Sequence, residues 1–151
     1  VTVGHLDIIT RAAGMFSKVI VLVSTNVNKS PVFSTEERIS MLKAATVNLD
    51  NVVIDSYDGL LADYTKKVNA GAIVKGLRAM SDFEYEFQMA LANKKLNPAT
   101  ETIFLTTKAE NMYLSSSMVK QIASMGGDVS DFVPPVIHKA VLNRLNRKDG
   151  K

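Results

Sequence analysis

The opening twenty-five residues decide the fold: Val1-Thr2-Val3-Gly4-His5-Leu6-Asp7-Ile8-Ile9-Thr10-Arg11-Ala12-Ala13-Gly14-Met15-Phe16-Ser17-Lys18-Val19-Ile20-Val21-Leu22-Val23-Ser24-Thr25. They divide into three pieces. Residues 2–5 read as a turn whose glycine lets a ligand approach the backbone. Leu6, Ile9, Ala13 and Phe16 recur at helical spacing, which predicts an amphipathic helix over 5–16. Residues 18–25 are a nearly continuous β-branched run, the pattern of a strand buried on both faces. A helix start gathers unpaired N–H groups and partial positive charge, which suits a phosphate. His5, in the first helical turn, adds a donor aimed at the same oxygens.

The alternation continues downstream. After a polar loop over 26–31, Ser34 and Glu37 form a capping box that opens a helix to about residue 46. A short strand is expected at 52–55 and a helix at 60–68, ended by Asn69-Ala70-Gly71. A buried strand at 72–74 runs into Lys75-Gly76-Leu77-Arg78. Ser81 and Glu84 read as a second capping box, opening the longest helix, with Phe83, Phe87 and Leu91 on one face and Asn97-Pro98 as its stop. A strand at 102–106 follows, then a loop over 107–114. Ser115-Ser116-Ser117 opens a helix ending before Gly126-Gly127, and Pro134-Pro135 introduces a last helix at 136–144. His138 on that helix reads as a packing or surface residue.

Composition narrows the function. The 151 residues suffice for one domain, expected to span the chain with a basic tail over about 145–151. No apolar run approaches the roughly 18 residues of a membrane helix, and no signal peptide is present, so a cytoplasmic location is expected. The absence of cysteine excludes disulfides, thiolate metal sites and thiol nucleophiles. His5 and His138, the two histidines, are too few for a histidine cage, and no protein-held metal is expected. A net charge of +3 suits anionic small molecules as well as nucleic acid. Arg144, Arg147, Lys148 and Lys151 supply much of the excess, and a solvated tail is their plain reading.

Strand–helix alternation argues an α/β fold, a doubly wound, Rossmann-like parallel sheet in the order 3-2-1-4-5. The central first strand of that order has no counterpart in the sequence, which opens on a turn and a helix. A natural segment ahead of Val1, or something else filling the slot, is therefore expected, because an empty slot would leave unpaired edges in the core. Ligands in such folds bind beyond the carboxyl ends of the strands. That rim receives Lys29, Lys75 with Arg78, the serines 115–117 and the turn ending at His5. Each alone has a bland reading, a solvated lysine or an N-cap serine. Together they make a polyphosphate site.

The chain resembles the bacterial phosphopantetheine adenylyltransferases, within the nucleotidyltransferase superfamily that carries a [TH]-x-G-H motif. The resemblance rests on Thr2-Val3-Gly4-His5-Leu6-Asp7-Ile8-Ile9, Lys29 with Pro31, Gly76-Leu77-Arg78, Asp82-Phe83-Glu84-Tyr85-Glu86 and Ser115-Ser116-Ser117-Met118-Val119-Lys120, in order along the whole chain. It implies transfer of an adenylyl group from ATP to 4′-phosphopantetheine, giving dephospho-coenzyme A and pyrophosphate, with no covalent enzyme intermediate. It implies that His5, Lys29 and Arg78 stabilise the transition state. ATP would be held by His5, Gly76, Leu77, Arg78, Glu86, Asn111, Met112, Tyr113, Leu114, Ser115, Ser116 and Ser117, and phosphopantetheine by Lys29, Leu61 and Lys75. It further implies Mg2+ carried mainly by the ATP phosphates, coenzyme A as a feedback inhibitor, and a homohexamer. The apolar Phe83-Tyr85-Phe87-Met89 stretch could serve such an interface, with core burial the safer expectation.

The chain departs from the family pattern in three places. The Pro-Gly-Ser/Thr-Phe-Asp-Pro stretch that precedes the motif in the family is absent. Position 75, often arginine in the family, is lysine, which keeps the charge and loses the two-pronged grip on phosphate. Position 111, tryptophan in some members, is asparagine. Two other readings compete. A sister enzyme making a cytidylyl or nicotinamide product would more often carry histidine where Thr2 stands. A non-enzymatic nucleotide sensor or nucleic-acid module finds support only in the basic tail and an isoelectric point near 9.1.

Overall fold

The computed structural model describes residues 1–24 and 31–145. The chain runs α1 (Val3–Met15), β1 (Val19–Ser24), α2 (Thr35–Ala45), β2 (Val52–Tyr57), α3 (Leu61–Lys67), β3 (Ala72–Leu77), α4 (Met80–Leu96) and β4 (Glu101–Thr106). A 3-10 turn (Ala109–Asn111), α5 (Ser116–Ser124) and α6 (Pro135–Leu145) complete it. All strand pairing is parallel, as the alternation predicts.

The strands form two pairs. β1 lies beside β2, with Val19 opposite Val52, and β3 beside β4, with Ala72 opposite Glu101. With the expected missing strand counted as the first, β1 to β4 are strands 2 to 5 of the order 3-2-1-4-5, in which 2 with 3 and 4 with 5 are neighbours. Among the described residues no ladder joins β1 to β3, so the order across the centre is not set by pairing. α1 packs against β1 and β3, one strand of each pair. The expectation that residues 18–25 are buried on both faces is corrected: within β1 only Val23 is buried, at 3% exposure. A strand paired along one edge leaves its neighbours half covered.

Local chemistry sets the element ends. Ser34 caps α2 with the reciprocal Glu37 contact the sequence predicts. The second predicted box is corrected: α4 begins at Met80, with Ala79 as N-cap and no side-chain cap bond. Asn69, at φ 52°, takes the left-handed turn that ends α3. Asn51 Nδ2 donates to Ala13 O and Phe16 O, both at 2.8 Å, and so closes the C-terminus of α1. At the end of α4, Asn97 Nδ2 donates to Thr65 Oγ1 at 3.0 Å and Thr100 Oγ1 at 2.7 Å, which joins α3, α4 and β4 in a buried polar knot.

The largest apolar cluster lies away from the strands. Leu114, Val119, Ala123, Val129, Val133, Ile137 and Val141 are buried together around α5 and α6, and Val1, Val3, Phe33 and Met41 pack onto them. Arg144 is not a solvated tail residue. It donates to Val32 O at 3.1 Å, pairs with Glu37 and covers the Phe33 ring at 5.3 Å, clamping α6 to the start of α2. Arg147, Lys148 and Lys151 lie outside the described residues.

Candidate functional site

His5 sits in a capping box, at the position where glutamate or glutamine is usual. Its backbone N–H donates to Thr2 Oγ1 at 3.4 Å, and the Thr2 backbone N–H donates to His5 Nδ1 at 3.1 Å. The Thr2 hydroxyl lies 2.8 Å from the same nitrogen. A backbone N–H can only donate, so Nδ1 is the unprotonated ring nitrogen and the neutral ring carries its hydrogen on Nε2. Thr2 is buried and His5 keeps an exposed face. The His5 pKa is pushed down to about 4, first by desolvation, with the Arg78 guanidinium acting in the same direction. The open face tempers the desolvation, but the Arg78 guanidinium still disfavours the imidazolium. The ring is neutral at pH 7 and offers an Nε2–H donor at a helix N-terminus.

The end of β3 brings the cations. Arg78 Nε donates to Asp82 Oδ2 at 3.0 Å, and NH1 donates to Leu114 O at 2.9 Å. One guanidinium thereby joins the first turn of α4 to the far end of the 107–115 loop. Lys75, half-exposed on β3, meets Glu86 Oε2 of α4 at 3.2 Å, a charge contact to an oxygen shielded from water and without an aligned hydrogen bond. Gly4 faces that loop, since a Cβ added to it would lie 3.8 Å from Asn111 Cβ and from Leu114 Cδ2. His5, Gly4, Arg78 and the 111–114 loop thus converge on one corner.

The chain has relatives. Residues 1–122 match the cytidylyltransferase-like family. The phosphopantetheine adenylyltransferase of Caldanaerobacter subterraneus is 56% identical over 97% of this chain and 92% of its own length. That of Heliobacterium modesticaldum is 53% identical over 99% and 87%, and that of Dictyoglomus turgidum 49% over 98% and 92%. The chain belongs to this adenylyltransferase family. It is a nucleotidyltransferase of α/β architecture, and the nucleic-acid and sensor reading falls away.

The remaining family positions are more scattered. Lys29 lies outside the described residues. Leu61 is half-buried at the start of α3, beyond the end of β2. Ser115 does what its bland reading predicts: its Oγ accepts from Met118 N at 3.1 Å as the N-cap of α5. Ser116 and Ser117 are exposed in the first turn of α5. Met112 and Tyr113 are exposed at the loop tip, and Leu114 is buried in the main apolar cluster. Gly76 has a packing reason of its own, since a Cβ there would meet Ile8 Cγ1 of α1 at 2.9 Å.

Two features escaped the sequence reading. Thr2 is read there only as part of a turn, although a threonine three residues before a polar side chain is a capping-box signal. Asp82 is read only as part of a family motif, and its grip on Arg78 follows from an i, i+4 spacing visible in the chain. A cleft of about 520 Å³ opens beside this corner, between α1 and the loop, lined by Leu6, Asp7, Lys108, Asn111 and Tyr113. Among the described residues no three acidic or histidine side chains gather to hold a metal.

Proposed function

We propose that the chain transfers the adenylyl group of ATP to 4′-phosphopantetheine in coenzyme A biosynthesis, giving dephospho-coenzyme A and pyrophosphate. One observation carries this reading beyond the family relationship: a neutral imidazole, its Nε2–H pointed away from Thr2, beside Arg78 at the start of α1. A phosphate oxygen of phosphopantetheine attacks the α-phosphorus of ATP. The new P–O bond forms as the bond to the β-phosphate oxygen breaks, and pyrophosphate leaves with that electron pair. No protein nucleophile takes part, so catalysis is positioning and charge stabilisation. His5 donates Nε2–H to the α-phosphoryl oxygens, and Arg78 and Lys29 share the developing charge.

The other family positions follow. Gly76, Leu77, Glu86 and the segment 111–117 hold ATP, and Leu61, Lys75 and Lys29 hold phosphopantetheine. A divalent cation carried by the ATP phosphates would supply charge neutralisation there, with Mg2+ the expected ion. The donor set fits that arrangement, offering cations and N–H groups for phosphate. Residues 1–151 act as one domain, in the cytoplasm, and coenzyme A inhibits by occupying the same site. No helix among the described residues is long and apolar enough to cross a membrane. Self-association, as a hexamer, is supported by α4, which leaves Tyr85 63%, Phe87 45% and Leu91 56% exposed. Core burial of the Phe83-Tyr85-Phe87-Met89 stretch, the safer expectation from sequence, is corrected at Tyr85, Phe87 and Met89, while Phe83 is half-buried against the Phe104 ring.

The test is nucleotide and acceptor selectivity. Pyrophosphate release is expected with ATP and phosphopantetheine. Turnover with CTP or nicotinamide mononucleotide in place of that pair, and none with phosphopantetheine, would move the chain to a sister activity.

A further inference from the structure

Asp7 stands two residues beyond His5 on α1, and no part of the reaction above uses it. Its side chain is 9% exposed, which is unusual for a carboxylate on a helix so near the chain surface. Both oxygens are engaged by cations. Oδ2 meets Arg11 NH1 at 3.3 Å within α1, and Oδ1 meets Lys108 Nζ at 3.1 Å across to the loop after β4. Arg11 NH1 also donates to Thr106 O, the last residue of β4, at 2.8 Å. A single carboxylate therefore fastens the His5 helix to the end of β4 and to the root of the loop that follows.

That loop is anchored at its two ends, and between them a 3-10 turn and an edge-on contact of Tyr113 with the Phe132 ring, centroids 6.3 Å apart, shape it. At its root, Thr107 N donates to Leu77 O at 2.8 Å and Lys108 sits on Asp7. At its far end, Arg78 binds Leu114 O and the Leu114 side chain is buried. Asn111, Met112 and Tyr113 are carried between these anchors, beside Gly4. The two ends of the loop beside the His5 corner are thus fixed, one through Lys108 by Asp7 and the other by Arg78.

We infer that Asp7 is a positioning residue for ATP, acting through Lys108 to hold the 111–114 segment against the His5 turn. This rests on the adenylyltransferase reading, which places ATP under that segment. Lys108 is 57% exposed and Arg11 36%, so removing Asp7 strands no buried charge, and the fold should survive.

The experiment is steady-state kinetics with both substrates varied, on Asp7→Asn, Lys108→Met and their combination, with melting temperatures alongside. Asp7→Asn and Lys108→Met should each raise KM for ATP by about fivefold to tenfold while kcat and KM for phosphopantetheine move by less than about twofold. The double variant should be no worse than the worse single, because both remove one contact. Lys108→Arg, which keeps the pair, should retain the original KM. An unchanged KM for ATP in both single variants overturns the inference, as does an equal rise for both substrates that tracks a lowered melting temperature. Should Asp7→Asn fail to fold, Lys108→Met on its exposed side chain decides the matter alone. An unsubstituted chain that makes no dephospho-coenzyme A would instead overturn the function on which the inference rests.

Discussion

The chemistry at the start of α1 depends on which nitrogen of His5 carries the proton, and Thr2 decides that. With Nδ1 occupied by a backbone donor, the proposed contact to phosphate uses a hydrogen that Nε2 already carries. His5→Ala should lower turnover by a factor on the order of a hundred or more, as expected for a donor that acts on transition-state charge. Unchanged turnover would remove that role. Thr2→Val loses the cap hydroxyl, at a cost of about 1 kcal/mol. Thermal melting should show this as a drop of roughly 2–4 °C, and Thr2→Ser should restore it. The pKa also leaves a mark on stability. The folded-state value near 4 lies below the ordinary 6.5, so the unfolded chain takes up the proton first as pH falls. The His5 contribution is present above pH 6.5 and is lost progressively toward pH 4. His5→Gln keeps a side chain suited to the capping box and removes the titration. Denaturant midpoints at pH 7 and pH 5 should therefore lie closer together in that variant, and equal spacing would contradict the assignment.

At the scale of elements, α1 is the hinge between the two strand pairs, and its approach to β3 depends on Gly76. Gly76→Ala places a methyl group 2.9 Å from Ile8 Cγ1 and should cost on the order of 1–3 kcal/mol. Combining it with Ile8→Ala should cost less than the sum of the two, measured by chemical denaturation. Additive costs would show that the helix and strand do not meet there. The strands were readable because Val19 to Val23 and the run at residues 72–74 are β-branched or apolar without interruption, a signal carried entirely within the segment. The α2 start was readable because a capping box is local as well. The start of α4 was misplaced because Ser81 and Glu84 fit the box pattern while the helix begins at Met80. What stayed hidden are pairings between distant residues. Asp7 with Lys108, Lys75 with Glu86 and Arg144 with Glu37 arise only when separate elements meet, and no spacing in the chain announces them. The corner itself was legible through its residue types, and its tautomer and anchors were not.

For the whole molecule, the exposed apolar side chains of α4 predict self-association. Tyr85→Glu with Phe87→Glu should convert an assembly, measured by light scattering, to monomers that keep their helical circular dichroism. A wild-type chain that is already monomeric at tens of micromolar would remove the oligomer from the account. The same α4 carries Asp82 and Glu86, so assembly and the site share an element, and the double variant should be assayed for activity as well. The central claim is direct transfer between two bound substrates, with no adenylyl group parked on the protein. Isotopic exchange of pyrophosphate into ATP, combined with mass spectrometry of the products, tests it most directly. Dephospho-coenzyme A is expected when ATP, Mg2+ and phosphopantetheine are all supplied, with no exchange of labelled pyrophosphate into ATP until phosphopantetheine or dephospho-coenzyme A is added. Exchange with ATP alone, or pyrophosphate release without dephospho-coenzyme A, would contradict it.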